Sequence, residues 1–430
     1  MNRFDVAIIG GGLSGLISAN YLAREGKSVV VLEKSKELGG RGMTLNKNGA
    51  LFNMGPHAFY LGGEGDAVFR DLGIHVDGAK PSIKGQNILF NDKVIPLSNL
   101  FTSRMLSISG KLELIRTLMK FSKLNIDEIP LVSLREWAEK EIKDPMVRTI
   151  IYAFCRTATF SLDFDYQLAG PVLDAVKRAF KNGVIYVDRG WQQMVDKLQI
   201  QAEKYGVKFM KHTIAKEIEL INGHVHRIIV NEGEILEVKN VISTLSPKDT
   251  FNLIRDAKKT HLRIWKDQAR PSTAACLNLS LKNLPTKRNV ALGIDIPIFY
   301  SNQSAVANLS DNGTKVMHLI KYNGTSSSDS KLDYELLIET MNKIHPGWQK
   351  EVVNEQYLPN MTVAYDFSHI HREDPFPGPS VPEIPGLFVA GEWTCQNNEM
   401  LFDAAAGSAK RAAKAVIQFS NMKTFYEKLS

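Results

Sequence analysis

The chain has 430 residues, 44% of them apolar, and a formal net charge of +7 spread along its length without a strong basic block. That length and apolar content suffice for two or three packed lobes, and the diffuse charge gives nucleic-acid binding little support. Three widely separated cysteines, Cys155, Cys276 and Cys395, argue against a disulfide framework and for a reducing, cytoplasmic setting, and no metal-ligand spacing links them with the histidines.

Residues 4–9 form an apolar run of strand length, followed at once by G-x-G-x-x-G at Gly10, Gly12 and Gly15. Residues 13–25 keep helical spacing, with Leu13, Leu16, Ile17, Tyr21 and Leu22 on one face. Gly26 is placed to end that helix, because glycine enters left-handed geometry without a Cβ penalty. Residues 28–32 supply a second strand, which stops at Glu33. A glycine-rich turn alone is an ordinary βα connection. Strand, glycines, helix, strand and terminal acid in this order are a dinucleotide-binding βαβ unit. Gly10 permits the turn, Gly12 admits a pyrophosphate, and Gly15 lets helix and sheet pack closely. The phosphates belong at the helix N-terminus, where residues such as Leu13 and Ser14 offer free N–H groups. A carboxylate at Glu33 suits ribose hydroxyls and opposes a 2′-phosphate, so NADP is not expected.

The residues beyond the second strand select the dinucleotide. Lys34 leads to Gly39, Gly40 and Arg41, and then to Gly55, Pro56 and His57. Residues 186–198 carry Arg189, Gly190 and Trp191 ahead of Leu198. Near the end, a short apolar strand runs into Gly391 and Glu392, and from Met400 a helix begins with a face of small residues. This order resembles the glycine-doublet flavoprotein superfamily, which holds amine oxidases, protoporphyrinogen oxidases and phytoene desaturases. Arg189 stands where that family has the first of two glycines. The resemblance covers nearly the whole chain and implies FAD. It places Gly39, Gly40 and Arg41 beside the diphosphate, and Gly55, Pro56 and His57 beneath the flavin ring. It also places the main chain of Ala215 at the adenine and Glu392 on the ribityl chain. The N–H groups of Leu401 and Phe402 then face flavin N1 and the C2 carbonyl. A helix N-terminus stabilises negative charge there.

Cofactor signals come and go along the chain, which implies a Rossmann-like α/β FAD-binding domain interleaved with an α+β substrate domain. The expected cofactor segments are 1–81, 183–246 and 377–430, and the substrate segments are 82–182 and 247–376. Within them, residues 86–97 suggest strands turning at Asn91-Asp92, and 218–230 a hairpin at Asn222-Gly223. Strands are expected at 275–281 and 316–322, and an amphipathic helix at 332–344.

The resemblance implies an FAD-dependent oxidoreductase that removes hydride from an apolar or tetrapyrrole-like substrate, with oxygen or a quinone as acceptor. Flavin amine oxidation and cofactor binding without turnover are the alternatives. His57 and Tyr60 are the candidate catalytic side chains, and no metal is expected. Trp393 is a candidate to flank the ring. The flavin is expected to be noncovalent, because residues 360–376, where monoamine oxidases carry their linking cysteine, hold none. No uncharged stretch approaches about twenty apolar residues, so no spanning helix is expected. Between residues 104 and 123, five basic residues interleave with apolar ones and only Glu113 is acidic. That pattern fits either a helix packed in the substrate domain or peripheral contact with the inner face of a membrane.

Overall fold

The computed structural model describes residues 3–396 and 398–429. Two large sheets carry the molecule. The first has the strand order Lys208–Met210, Val29–Leu32, Arg3–Ile9, Glu234–Ser243, His224–Val230, Ala215–Ile221, with Leu387–Val389 added beside the second half of Glu234–Ser243. Its first four strands and Leu387–Val389 are parallel, and the other two close as an antiparallel hairpin. The near-continuous apolar runs at residues 6–9 and 29–32 explain this, since a parallel strand is buried on both faces. On one face lie the helices Leu13–Arg24, Gln192–Lys204 and Leu401–Leu429. On the other lies a core built around Trp265, Ile384 and Trp393.

The second sheet is mixed, in the order Val352–Ala364, Ser272–Leu281, Lys315–Gly324, Ile298–Ser301, Val290–Gly293, Gln86–Phe90, Lys93–Pro96. Period-two alternation divides its two central strands. Ala275, Leu277, Leu279, Met317 and Leu319 pack on Leu337, Met341 and Ile344 of the helix Ser330–Ile344. The opposite face presents Ala274, Cys276, Asn278, His318, Ile320 and Tyr322, all buried. Four helices complete this half: Ile108–Lys123, Leu134–Glu141, Pro145–Thr159 and Ala169–Asn182. Ser107, Ser133 and Asp144 cap the first three through side-chain acceptors, satisfying N–H groups that a helix start leaves unpaired.

The expected hairpins are present. Asn91 and Asp92 take φ of 48° and 59°, and Asn222 and Gly223 take 51° and 79°, the left-handed pairs a two-residue hairpin loop requires. Leu97 leaves its strand and starts a short 3-10 turn instead. The basic segment forms the helix Ile108–Lys123, which buries Leu114 and Phe121 in the helical core. Its other side exposes Ile108, Leu112, Ile115 and Met119, spaced to line one stripe. Among the described residues no helix is long and apolar enough to cross a membrane.

Close packing at the first turn fixes the parallel sheet against its helix. A Cβ on Gly15 would stand 2.0 Å from the Gly10 carbonyl oxygen. Gly15→Ala is expected to cost on the order of 2 kcal/mol or more, as an overpacked core does. Gly26→Ala, where no atom lies within 4 Å but φ is +74°, should cost roughly 1 kcal/mol. Urea unfolding of the two variants checks the order. An equal or smaller loss at Gly15 would refute it.

Candidate functional site

The glycine segments meet edge to edge. Gly12 and Gly39 form a parallel backbone bridge, and the Gly39 N–H donates to the Gly11 carbonyl at 2.8 Å. A Cβ on Gly12 would find only the Gly39 carbonyl oxygen, 3.9 Å away, whereas one on Gly40 would stand 3.5 Å from the Gly12 Cα. A side chain at either position would fill the space between the two turns. Leu13 and Ser14 open the helix behind them. Glu33 is buried at the end of its strand, and its carboxylate accepts from the N–H groups of Gly11 and Ser35, both at 2.8 Å. A carboxylate offers about four lone-pair sites, so both oxygens keep capacity for hydroxyl donors. The Thr213 N–H donates to the Glu33 carbonyl at 2.9 Å, which lays the segment leading to Ala215 beside this acid. Lys34 is exposed at the rim.

Chain ends separated by hundreds of residues converge here. Arg41 Nη2 meets Glu392 Oε2 at 2.5 Å, and its Nη1 donates to the Val363 carbonyl at 2.7 Å. Glu392 Oε1 accepts from the Tyr365 N–H at 2.8 Å. Gly391 takes φ of +144°, and its N–H donates to Ser408 Oγ at 2.9 Å, tying the strand end to the last helix. That helix begins at Leu401, whose φ of +49° is strained for a branched side chain. Such strain persists where surroundings fix the backbone, and it clusters at ligand sites. Leu401 and Phe402 lie in the first turn, where N–H groups lack intrahelical acceptors.

Gly55 adopts φ of +106°, and the His57 N–H folds back to its carbonyl at 2.8 Å. Pro56 is buried between them. The His57 ring lies 4.6 Å from the Trp191 ring, and its carbonyl accepts from Gln303 Nε2 at 2.8 Å. Its Nδ1 is buried without a protein partner, as is Trp191 Nε1. Burial, with the Arg41 charge added, pushes the His57 imidazole down to about 4, so it is neutral at ordinary pH. Tyr60 has a different environment. Burial raises its phenol, with Tyr186 and Asp403 adding to the effect, and it remains a protonated hydrogen-bonding group. Trp393 packs in the core behind the sheet. It is 1% exposed, its Nε1 donates to the Leu245 carbonyl, and its ring packs 5.8 Å from that of Trp265 in the core behind the sheet.

Several residues of this region escaped sequence reading. Asn278 Nδ2 donates to the Asn53 carbonyl and to Gln356 Oε1, so Oδ1 is left to accept from His318 Nδ1 at 2.6 Å. That network ties the mixed sheet to the turn before Gly55. The signal was available: Asn278 and His318 are polar interruptions on one face of apolar strands. A cavity also lies between the helical layer and the start of the last helix, lined by Thr159, Gln167, Ala364, Glu392, Cys395 and Leu401 among others. Its two other carboxylates are compensated: Asp366 pairs with Arg372 and Glu399 with Arg411, each at 2.7 Å.

Open glycine turns at a helix N-terminus, a buried acid at the next strand end and a second helix N-terminus converging on them define a dinucleotide-dependent oxidoreductase fold. Residues 13–417 match the flavin-containing amine oxidoreductases, and the chain belongs to that FAD-binding enzyme family. Over 57 residues it is 49% identical to a carotenoid 3,4-desaturase of Haloarcula japonica, a stretch spanning 13% of this chain and 11% of that protein. It is 21% identical over 288 residues to a 4,4'-diaponeurosporene oxygenase of Staphylococcus aureus, spanning 58% of this chain and 57% of that one. These curated relatives are thus matched over less than two thirds of their length. An oxidoreductase of Methanosarcina mazei superposes with a TM-score of 0.77 at 20% identity, covering 96% of this chain and all of that one.

The buried imidazoles make stability depend on pH. His57, His318 and His345 are pushed down to about 4, 3 and 4, chiefly by burial, from an ordinary 6.5. In that window the unfolded chain binds more protons, so stability rises with pH and is lost as pH falls from 6.5 toward 4. Each histidine contributes a slope of up to about 1.4 kcal/mol per pH unit. His57→Gln is expected to remove one such share from the slope of unfolding free energy between about pH 4.5 and 6.5. An unchanged slope would show that His57 titrates normally.

Proposed function

We propose that this chain is an FAD-dependent dehydrogenase that removes hydride from carbon in a mainly apolar, desaturase-type or tetrapyrrole-like substrate. The observation that carries this reading is an apolar cluster on the face of the mixed sheet turned away from the helix Ser330–Ile344. Ala274, Ile320 and Tyr322 of the mixed sheet pack there with Phe160, Leu162, Phe299 and Val363. The pairing of Asp366 and Glu399 with arginines leaves the nearby cavity without a spare anion for a cationic amine. Trp393, the candidate to flank the ring, packs in a buried core cluster, which gives no support to an amine path. The local likeness to a carotenoid desaturase supports the same reading.

In this reading residues 1–81, 183–246 and 377–430 hold the cofactor, and 82–182 and 247–376 hold the substrate. Gly10, Gly12, Gly15, Gly39 and Gly40 would admit the diphosphate, with Arg41, held by Glu392, beside it and Lys34 at the rim. Glu33 takes the ribose, Ala215 the adenine and Glu392 the ribityl chain. Gly55, Pro56 and His57 support the ring, and Leu401 and Phe402 direct N–H groups at its N1 side. The open space at Gly12 and the spare lone pairs of Glu33 fit this group. When bound, FAD supplies a two-electron acceptor, while the protein supplies position and electrostatics. The neutral His57 offers a hydrogen-bonding edge without adding charge. Attachment is noncovalent in this proposal, since the Cys395 thiol is engaged by Ser368 and Arg372.

Anaerobic titration of the yellow protein distinguishes the readings. Polyenes or porphyrinogens are expected to bleach the oxidised-flavin band, and amines to leave it intact. Bleaching by amines alone would overturn the proposal.

Access for an apolar substrate is served by the helix Ile108–Lys123. Its exposed stripe of Ile108, Leu112, Ile115 and Met119 runs beside Lys111, Arg116 and Lys123, a pattern complementary to an anionic lipid surface. Sedimentation with phosphatidylserine vesicles is expected to carry the protein down, and Leu112→Glu with Met119→Glu to weaken this about tenfold or more. Equal binding by wild type and variant would remove the helix from the lipid path.

A further inference from the structure

Arg41, in the turn Gly40–Gly42, is held from several sides and is still left open. Its Nη2 meets Glu392 Oε2 at 2.5 Å, and its Nη1 donates to the Val363 carbonyl at 2.7 Å. Its guanidinium also lies over the Tyr365 ring, 4.9 Å from the centroid, within the range of a cation–π contact. Yet 41% of the Arg41 side chain is exposed, against 6% for that of Glu392. The acid is sealed and the cation is not. Only part of the guanidinium's fork of N–H donors is committed in this way, so donors remain for a ligand. The ring beneath Arg41 is itself anchored. The Tyr365 N–H donates to Glu392 Oε1 at 2.8 Å. The next residue, Asp366, accepts from the Arg270 N–H at 3.0 Å and pairs with Arg372 at 2.7 Å. The Tyr365 side chain packs against the core that holds Trp265, Ile384 and Trp393. A ring so anchored can fix the guanidinium laid over it.

We propose that Tyr365 is a positioning residue for the cofactor, whose ring holds the Arg41 guanidinium in the orientation that receives the diphosphate. This rests on the reading that sets Arg41 beside that group, and it names what aims the arginine. A long cationic side chain that is free to rotate loses that freedom when an anion fixes it, and the loss weakens binding. Contacts made before the ligand arrives remove part of the loss. The carbonyl and the carboxylate engage the edge of the fork, and the ring sets its tilt. An aromatic platform suits arginine in particular, because a guanidinium is planar and stacks on ring faces, whereas a lysine ammonium is a point charge on a flexible stem. The phenol hydroxyl has no part in this, so phenylalanine serves as well as tyrosine.

The test measures FAD affinity and not turnover. Full-length, FAD-loaded protein is diluted in steps, and released FAD is read by its fluorescence. Tyr365→Leu is expected to weaken FAD binding about fivefold, the scale of a lost cation–π contact. Tyr365→Phe should bind like the wild type. In an Arg41→Lys background, Tyr365→Leu should cost less than about twofold, because the planar group that the ring holds is gone. A packing defect unrelated to Arg41 would carry over in full into that background and would overturn the proposal. So would wild-type affinity in Tyr365→Leu, or a Tyr365→Phe protein as weak as Tyr365→Leu. If Tyr365→Leu does not fold, Arg41→Lys decides. It keeps the charge but loses the fork, and is expected to bind FAD about fivefold more weakly than the wild type. Wild-type affinity there would show that no aiming is needed and would overturn the proposal. Arg41→Met separates this inference from the reading beneath it. Unchanged affinity in Arg41→Met would remove Arg41 from the diphosphate and the inference with it. Weakened binding in Arg41→Met, with none in Tyr365→Leu, would overturn the role of Tyr365 alone.

Discussion

Two helices that lie at opposite ends of the sequence touch through backbone, and the site depends on that contact. Ser14 Oγ donates to the Ala405 carbonyl at 3.1 Å and Ser18 Oγ to the Ala409 carbonyl at 3.2 Å. Hydroxyls this short reach a neighbouring main chain only if the helix surfaces are nearly bare. The small residues Ala404, Ala406, Ala409, Ala412 and Ala413, all buried, provide that bareness. The consequence is geometric. Both helix N-termini open on the same side of the parallel sheet, one behind Gly12 and one at Leu401. A helix N-terminus favours negative charge, so the two ends make this side of the sheet favourable to an anion. Bulky substitution at either serine would part the helices and misalign both ends together.

The parts of this arrangement that are written locally were legible in the sequence. The βαβ unit, its glycines and Glu33 obey short-range rules, and the helix Leu13–Arg24 starts and stops where glycine chemistry says it should. The hairpins at Asn91-Asp92 and Asn222-Gly223 are equally local. The features that resisted reading depend on long-range pairing. Arg41 and Glu392 meet across the fold, and nothing in either neighbourhood announces the other. Trp393 comes directly after Glu392, yet the turn at Gly391 sends it into the core behind the sheet. Gln167 carries no motif at all. Its side chain becomes buried and unpaired only once the chain is folded.

Burial also explains how the region can be both polar in composition and neutral in charge. His57 and His318 lie in surroundings that disfavour imidazolium, and the Arg41 charge adds to this at His57. Asn278 settles the tautomer of His318. Its amide hydrogens are committed to Asn53 and Gln356, so its oxygen must accept and His318 Nδ1 must donate. The free Nε2 of that ring is then an acceptor. The network holds the turn ahead of Gly55 at the cost of several buried polar groups, a trade that hydrophobic packing alone would not require.

Charge compensation separates the two substrate chemistries more sharply than shape does. An amine must be held near the site in either its neutral or its charged form, and a buried carboxylate without a cation would favour the charged one. Here Asp366 and Glu399 are each committed to an arginine, and Arg41 is committed to Glu392. Each carboxylate that lines the cavity is thus paired with an arginine. On the face of the mixed sheet turned away from the helix Ser330–Ile344, the surroundings, Ile320, Tyr322 and Phe160, are apolar. A wall without direction binds greasy molecules in many poses, and hydride removal from one carbon needs one pose.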